Sequence, residues 1–233
     1  MSAYEFSSLA IPISIFLGWA GSTACAALVY RKIPAAQRTA QTETKFSLDF
    51  YAASLMKGFS IAMVLSVDVI LAKHYLSPYD AGVYALLSTI GKMIYFFGSL
   101  LNVVIVSMVS RAMGKGRDPE KEFGKIFVGT AFLSISAGLG LSLFGWFLAP
   151  LLLGASALMI VPYLIPYSIA MTLFTLATTV VLYQLARERY FFPAISLVLS
   201  LSMLTSMVFY HSSVAVFVQT AVAFNIIYFL IIA

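Results

Sequence analysis

The chain has 233 residues, of which 61% are hydrophobic and only 10% charged, and its mean hydropathy is +0.98; soluble domains carry about 25% charged residues. So few charges exclude an aqueous surface, and the net charge of +5 points to nucleic acid only if the basic residues cluster on such a surface. The expected class is an all-α polytopic membrane helix bundle of about seven transmembrane helices.

Crossing a bilayer by helix takes about 20 mainly apolar residues, because every backbone polar group must be satisfied inside the segment. The first such stretch covers residues 6–30. No Lys or Arg precedes it and basic residues follow it directly, so it is expected to remain as a leading helix (residues 1–30) with its N-terminus outside. Its Cys25 is the single cysteine and reads as a packing residue that says nothing of redox compartment. Residues 31–49, with Pro34, several Thr and Gln and both charge signs, read as a cytoplasmic linker.

Six further spans are expected over residues 50–76, 81–109, 126–149, 157–183, 191–210 and 214–233, together a six-helix lobe over 50–233. Basic residues fall in alternate connections: Arg31, Lys32, Arg38 and Lys45; then Arg111, Lys115, Arg117, Lys121 and Lys125; then Arg187 and Arg189. The positive-inside rule therefore puts the N-terminus outside and the C-terminus in the cytoplasm. This distribution fits a multi-pass protein and gives no reason to expect nucleic acid.

In the span at 157–183, Pro162 and Pro166 each remove a backbone donor, so a kink or break is expected near its outer end. Tyr163 and Tyr167 share one side of that helix, either as aromatic residues of the membrane interface or as a hinge whose hydroxyls meet a sugar or phosphate.

Ionisable groups inside spans are costly, about 2.5 to 3.5 kcal/mol each at mid-membrane, and usually face a protein interior or a wet cavity. Three are present: Lys57, Asp68 and Lys92. Lys57 lies near a span end and can extend toward water. Asp68 has a short side chain and needs a partner or cavity water; eleven residues separate the two, which puts them on nearly one face of a regular helix. They are the candidate ion or proton pathway.

Lys92 lies about three turns into its span. At 100° per residue, Tyr84, Ser88, Lys92, Tyr95, Ser99 and Asn102 fall within an arc of about 80°, a polar stripe and the candidate substrate-binding surface. Gly91 and Gly98 beside it would let another helix approach closely. Two readings stay open: interhelical hydrogen bonds with Lys92 paired to Asp68, or a hydrated cavity wall where Lys92 attracts an anionic headgroup and the hydroxyls meet a sugar.

No catalytic constellation is assembled by spacing. His74 and His211 stand alone, Gly114-Lys115-Gly116 lacks the spacing of a phosphate-binding loop, and no metal site or cofactor is expected. The chain is read as not an enzyme. A membrane transferase would need an acidic or histidine cluster in its loops.

Residues 67–92, VDVILAKHYLSPYDAGVYALLSTIGK, resemble the polysaccharide-biosynthesis flippases, which belong with the lipid II flippases and the multidrug and toxin extrusion carriers. The resemblance rests on an Asp on an opening helix, a short outer turn and Ala-Gly-x-Tyr starting the next helix. It implies one lobe of a two-lobed exporter, each lobe six helices, around a central cavity. Residues 1–30 then match the last helix of the first lobe and 50–233 the second lobe. About five helices of the first lobe have no counterpart, so the chain is expected to be part of a split or truncated carrier, or to pair with a separate N-terminal half or a second copy of itself. The implied substrate is an undecaprenyl-pyrophosphate-linked oligosaccharide for O-antigen, capsule or exopolysaccharide, moved across a bacterial inner membrane. A multidrug carrier and a nonconducting membrane scaffold are the alternatives.

Overall fold

A computed structural model describes residues 48–233. The leading helix expected at 1–30 and nearly all of the linker at 31–49 lie outside the described residues. Among the described residues all regular structure is helical, and six helices are long and apolar enough to cross a bilayer. The described residues belong to one compact unit, Ser47–Ala233, a membrane-type all-α bundle.

The first long helix is made of α1 (Leu48–Ala62), a π-helical turn (Met63–Val67) and α2 (Asp68–Tyr75). The second is α3 (Pro78–Gly98), a 3₁₀ turn (Ser99–Leu101) and α4 (Asn102–Gly114). Then follow α5 (Pro119–Leu153), a 3₁₀ segment (Ala155–Ile160) leading into α6 (Val161–Ala186), α7 (Phe191–Phe209) and α8 (Val214–Ile232).

Local chemistry sets the helix starts. Ser77 caps α3, its Oγ accepting from Asp80 N at 3.2 Å, with Pro78 in the first turn where a missing donor costs nothing. Asp118 caps α5 in the same way, accepting from Glu120 N at 3.0 Å ahead of Pro119. Ser213 caps α8.

The interruption expected at Pro162 and Pro166 lies earlier in the chain. Gly154, at φ 86°, ends α5, and the 3₁₀ turn Ala155–Ile160 makes the corner. Pro162 sits in the first turn of α6, where its lack of an N–H is tolerated, and Pro166 is accommodated within a continuous α-helix.

The helix α6 is the most heavily buried of the spans and packs against α5, α8, α3, α4, α7 and α1. Facing it from α3, Gly91 lies so close that a Cβ there would sit 2.2 Å from Tyr167 Cδ1. At Gly98 a Cβ would meet Thr175 Cγ2 at 2.6 Å and Ser134 Cβ at 2.9 Å. These two glycines are where α3 is tightly seated on its neighbours, as small residues allow between membrane helices. The outward surface is apolar, with Phe96, Val103, Phe132, Leu143 and Trp146 exposed, the surface a lipid solvent requires.

Hydroxyl groups hold a second seam. Ser60 on α1 donates to Ser196 O at 3.0 Å and lies 2.7 Å from Ser196 Oγ and 2.6 Å from Ser200 Oγ on α7. Tyr228 on α8 hydrogen-bonds to Ser196 as well. All four residues are buried, so one polar cluster joins three helices inside an apolar layer.

Candidate functional site

The two ionisable groups deepest in the bundle meet. Lys92 Nζ on α3 donates to Asp68 Oδ1 at 2.8 Å, and both residues are buried, 6% and 2% exposed. Lys92 also donates to Leu65 O at 2.9 Å. Leu65 lies in the π turn, where the looser i→i+5 ladder leaves carbonyls room to accept from a neighbouring helix.

The second carboxylate oxygen is filled from α3. Tyr84 OH donates to Asp68 Oδ2 at 3.0 Å, with Ser88 Oγ at the long distance of 3.5 Å. Tyr167 on α6 extends the chain, its OH donating to Ser88 Oγ at 3.4 Å. Rings close the site: Tyr84 stands edge-on to Tyr167 at 6.3 Å and to Phe217 at 5.4 Å between centroids. Beside the carboxylate is a void of about 10 Å³ bounded by Asp68, Tyr84, Tyr167 and Asn225, which is room for roughly one water.

Chemically the site is a neutralised pair in a medium that penalises either charge alone. The carboxylate accepts from one ammonium and two hydroxyls. The ammonium, with three donors, uses two on Asp68 and Leu65. An anion reaching Lys92 would compete with Asp68 for it.

The sequence stripe therefore divides by depth. Tyr84, Ser88 and Lys92 converge on Asp68 and are buried. Tyr95 is buried too, its ring 5.5 Å from that of Phe174. Ser99 and Asn102, half-buried, are separated from this group by the 3₁₀ turn that Ser99 itself begins. Ser99 Oγ donates to Phe96 O at 3.1 Å within its own helix, and Asn102 Oδ1 accepts from Thr179 Oγ1 on α6 at 3.1 Å.

Lys57 is half-buried, and no ion pair joins it to Asp68 among the described residues. The expectation that the two share a face assumes a regular helix. The π turn between them takes up about one residue without advancing the helix, so Asp68 lags its regular position by about 100° and faces α3.

Two parts of the site have no clear sequence signal. Leu65 is an ordinary apolar residue, and nothing in Met63–Val67 announces a π turn. The sequence points Tyr167 to a membrane interface or a hinge, whereas it is almost fully buried against Ser88. The serine cluster of Ser60, Ser196 and Ser200 was open to detection, since Ser196 and Ser200 are four apart in a helix with few other polar groups. His74 and His211 each pack a ring on Tyr75, at 4.7 Å between centroids.

Among the described residues no group of three His, Cys, Asp or Glu could hold a metal ion. No protein family, curated protein or solved structure matches the chain.

Proposed function

We propose that the chain forms one lobe of a membrane carrier that moves an undecaprenyl-pyrophosphate-linked oligosaccharide outward across a bacterial inner membrane, for O-antigen, capsule or exopolysaccharide assembly. The observation that carries the reading is the buried Asp68–Lys92 pair. Ionisable groups inside membrane helices are expensive and mark pathways for ions and substrates. The resemblance of residues 67–92 to polysaccharide flippases supplies the substrate class.

On this reading Lys92 is the point charge for the pyrophosphate, and Asp68 is the counter-ion that holds it between cycles. The headgroup displaces Asp68, which is left among Tyr84 and Ser88 and takes a proton from water on one side of the membrane; release of that proton to water on the other side lets the pair re-form and expel the headgroup. Tyr95, Ser99 and Asn102 continue the polar side of the helix toward the other end of the span for sugar hydroxyls. The basic connections face the cytoplasm, and a second lobe, from another chain or a second copy, supplies the opposite wall.

Deleting the chain from its source cell tests this. The expected result is loss of surface polysaccharide with accumulation of lipid-linked oligosaccharide on the cytoplasmic leaflet, restored by the wild-type chain and not by a Lys92→Met chain present at equal level. Unchanged surface polysaccharide would sink the reading. Drug sensitivity without loss of polysaccharide would transfer the pair to a multidrug carrier, and full rescue by Lys92→Met would leave a scaffold.

A further inference from the structure

At the end of the bundle where α4 stops and α5 starts, the chain turns through Lys115, Gly116, Arg117 and Asp118. The turn is fixed by backbone bonds, Arg117 N to Ala112 O at 2.9 Å and Gly116 N to Met113 O at 3.2 Å, and by Gly116 at φ 62°, a backbone region that strongly favours glycine. It holds Arg111, Lys115 and Arg117 around a concavity of about 230 Å³ floored by Met108 and Ala112.

The charges nearby are unevenly partnered. Glu122, the carboxylate on the rim, is engaged by Lys125 at 3.2 Å, and Glu120 by Arg187 at 3.0 Å. Arg111, Lys115 and Arg117 are exposed and take part in no ion pair among the described residues. Lys121 and Arg189, at the same end, are also exposed and in no ion pair among the described residues, but do not line the concavity. Three cations thus converge where an apolar helix leaves the bilayer, above a floor that begins the apolar surface of α4, on which Val104 is exposed.

We propose that this concavity binds the phosphodiester of an anionic membrane phospholipid, with Arg111 and Arg117 donating to phosphate oxygens, Lys115 adding a point charge, and an acyl chain running from Met108 along α4. Guanidinium groups match phosphate oxygens in pairs, and basic pockets between helices at the membrane surface suit such headgroups. The site is separate from the Asp68–Lys92 pair and does not depend on what the carrier moves.

Native mass spectrometry of the detergent-solubilised chain, titrated with phosphatidylglycerol, phosphatidylethanolamine or inorganic phosphate, tests it. Phosphatidylglycerol should bind more tightly than phosphatidylethanolamine and withstand competition by inorganic phosphate. The Arg111→Gln/Arg117→Gln chain should lose at least about tenfold in phosphatidylglycerol affinity. Lys121→Gln/Arg189→Gln removes the same charge from the same end and should lose less than about twofold. Lys115→Glu, on an exposed side chain, gives an independent reading if the arginine pair disturbs folding, and should also weaken binding. Equal losses in the two glutamine pairs would reduce the effect to diffuse charge and overturn the site. Absence of headgroup preference would do the same, and ready displacement by inorganic phosphate would assign the concavity to a soluble anion.

Discussion

Lys92 and Asp68 are 24 residues apart and 2.8 Å from each other, and the ammonium also reaches a main-chain oxygen, Leu65 O. The contact locks α3 to the junction of the π turn with α2, where the opening helix of the lobe changes its turn.

Removing either charge should cost more than the pair contributes. Asp68→Asn leaves a buried ammonium without a counter-charge, and Lys92→Met leaves a buried carboxylate; each should destabilise by about 3 to 5 kcal/mol. The double variant should lie below the sum of the two by about 1 to 3 kcal/mol. Denaturant unfolding in mixed micelles measures all three, and strict additivity would show that the pair is not coupled.

Gly91→Ala should destabilise by about 1 to 3 kcal/mol, because the new methyl would overlap the Tyr167 ring. Gly82, in the same helix, has nothing within 4 Å of its Cβ position, and Gly82→Ala should be neutral or stabilising by up to about 1 kcal/mol. Thermal unfolding of the two variants side by side checks the contrast. Equal behaviour would mean that the close seating of α3 on α6 is absent.

Ser196→Ala removes the centre of the cluster shared by Ser60, Ser200 and Tyr228 and should cost about 0.6 to 1.7 kcal/mol. Among the described residues Ser202 bonds within its own turn alone, to Val198 O, and Ser202→Ala should stay within about 0.5 kcal/mol of wild type. The same micellar titration distinguishes them.

Deleting Ser66, an exposed residue of the π turn, should convert that turn to α-helix, since a π turn holds one residue more than the α-helical turn it replaces. The helices on either side then keep their phase, and Asp68 stays on Lys92. The deletion should destabilise by less than Asp68→Asn, and adding Asp68→Asn to it should cost nearly as much as in the intact chain. Little further loss from the second change would show that the deletion had already parted the pair.

The spans were legible in the sequence because apolar length is a coarse signal. Residues 126–149 and 157–183 were expected, and α5 and the helix ending in α6 extend beyond them to Pro119–Leu153 and Ala155–Ala186. The longer bounds come from caps and a corner, at Asp118 and Gly154, that hydropathy does not register. The sharing of one α3 face by Tyr84, Ser88 and Lys92 was legible from period alone, and Gly91 and Gly98 from their size. Their partners were harder to read. Pairing of Asp68 with Lys92 is one of the two readings the sequence leaves open, but the π turn that aims Asp68 carries neither Pro nor Gly. Tyr167 joins the site through the seating of α6, a tertiary relation that no local pattern encodes.

Two of the polar contacts of α3 and α4 end on α6: Tyr167 meets Ser88, and Thr179 meets Asn102. During synthesis α3, α4 and α5 enter the membrane before α6 exists. Until residue 161 has emerged and the next span is inserted, Ser88 and Asn102 lack these partners in hydrocarbon. The nascent lobe therefore passes through a stage in which its side chains remain attractive to other polar helices or to chaperones of insertion, and arrival of the fourth of the six described spans ends that stage.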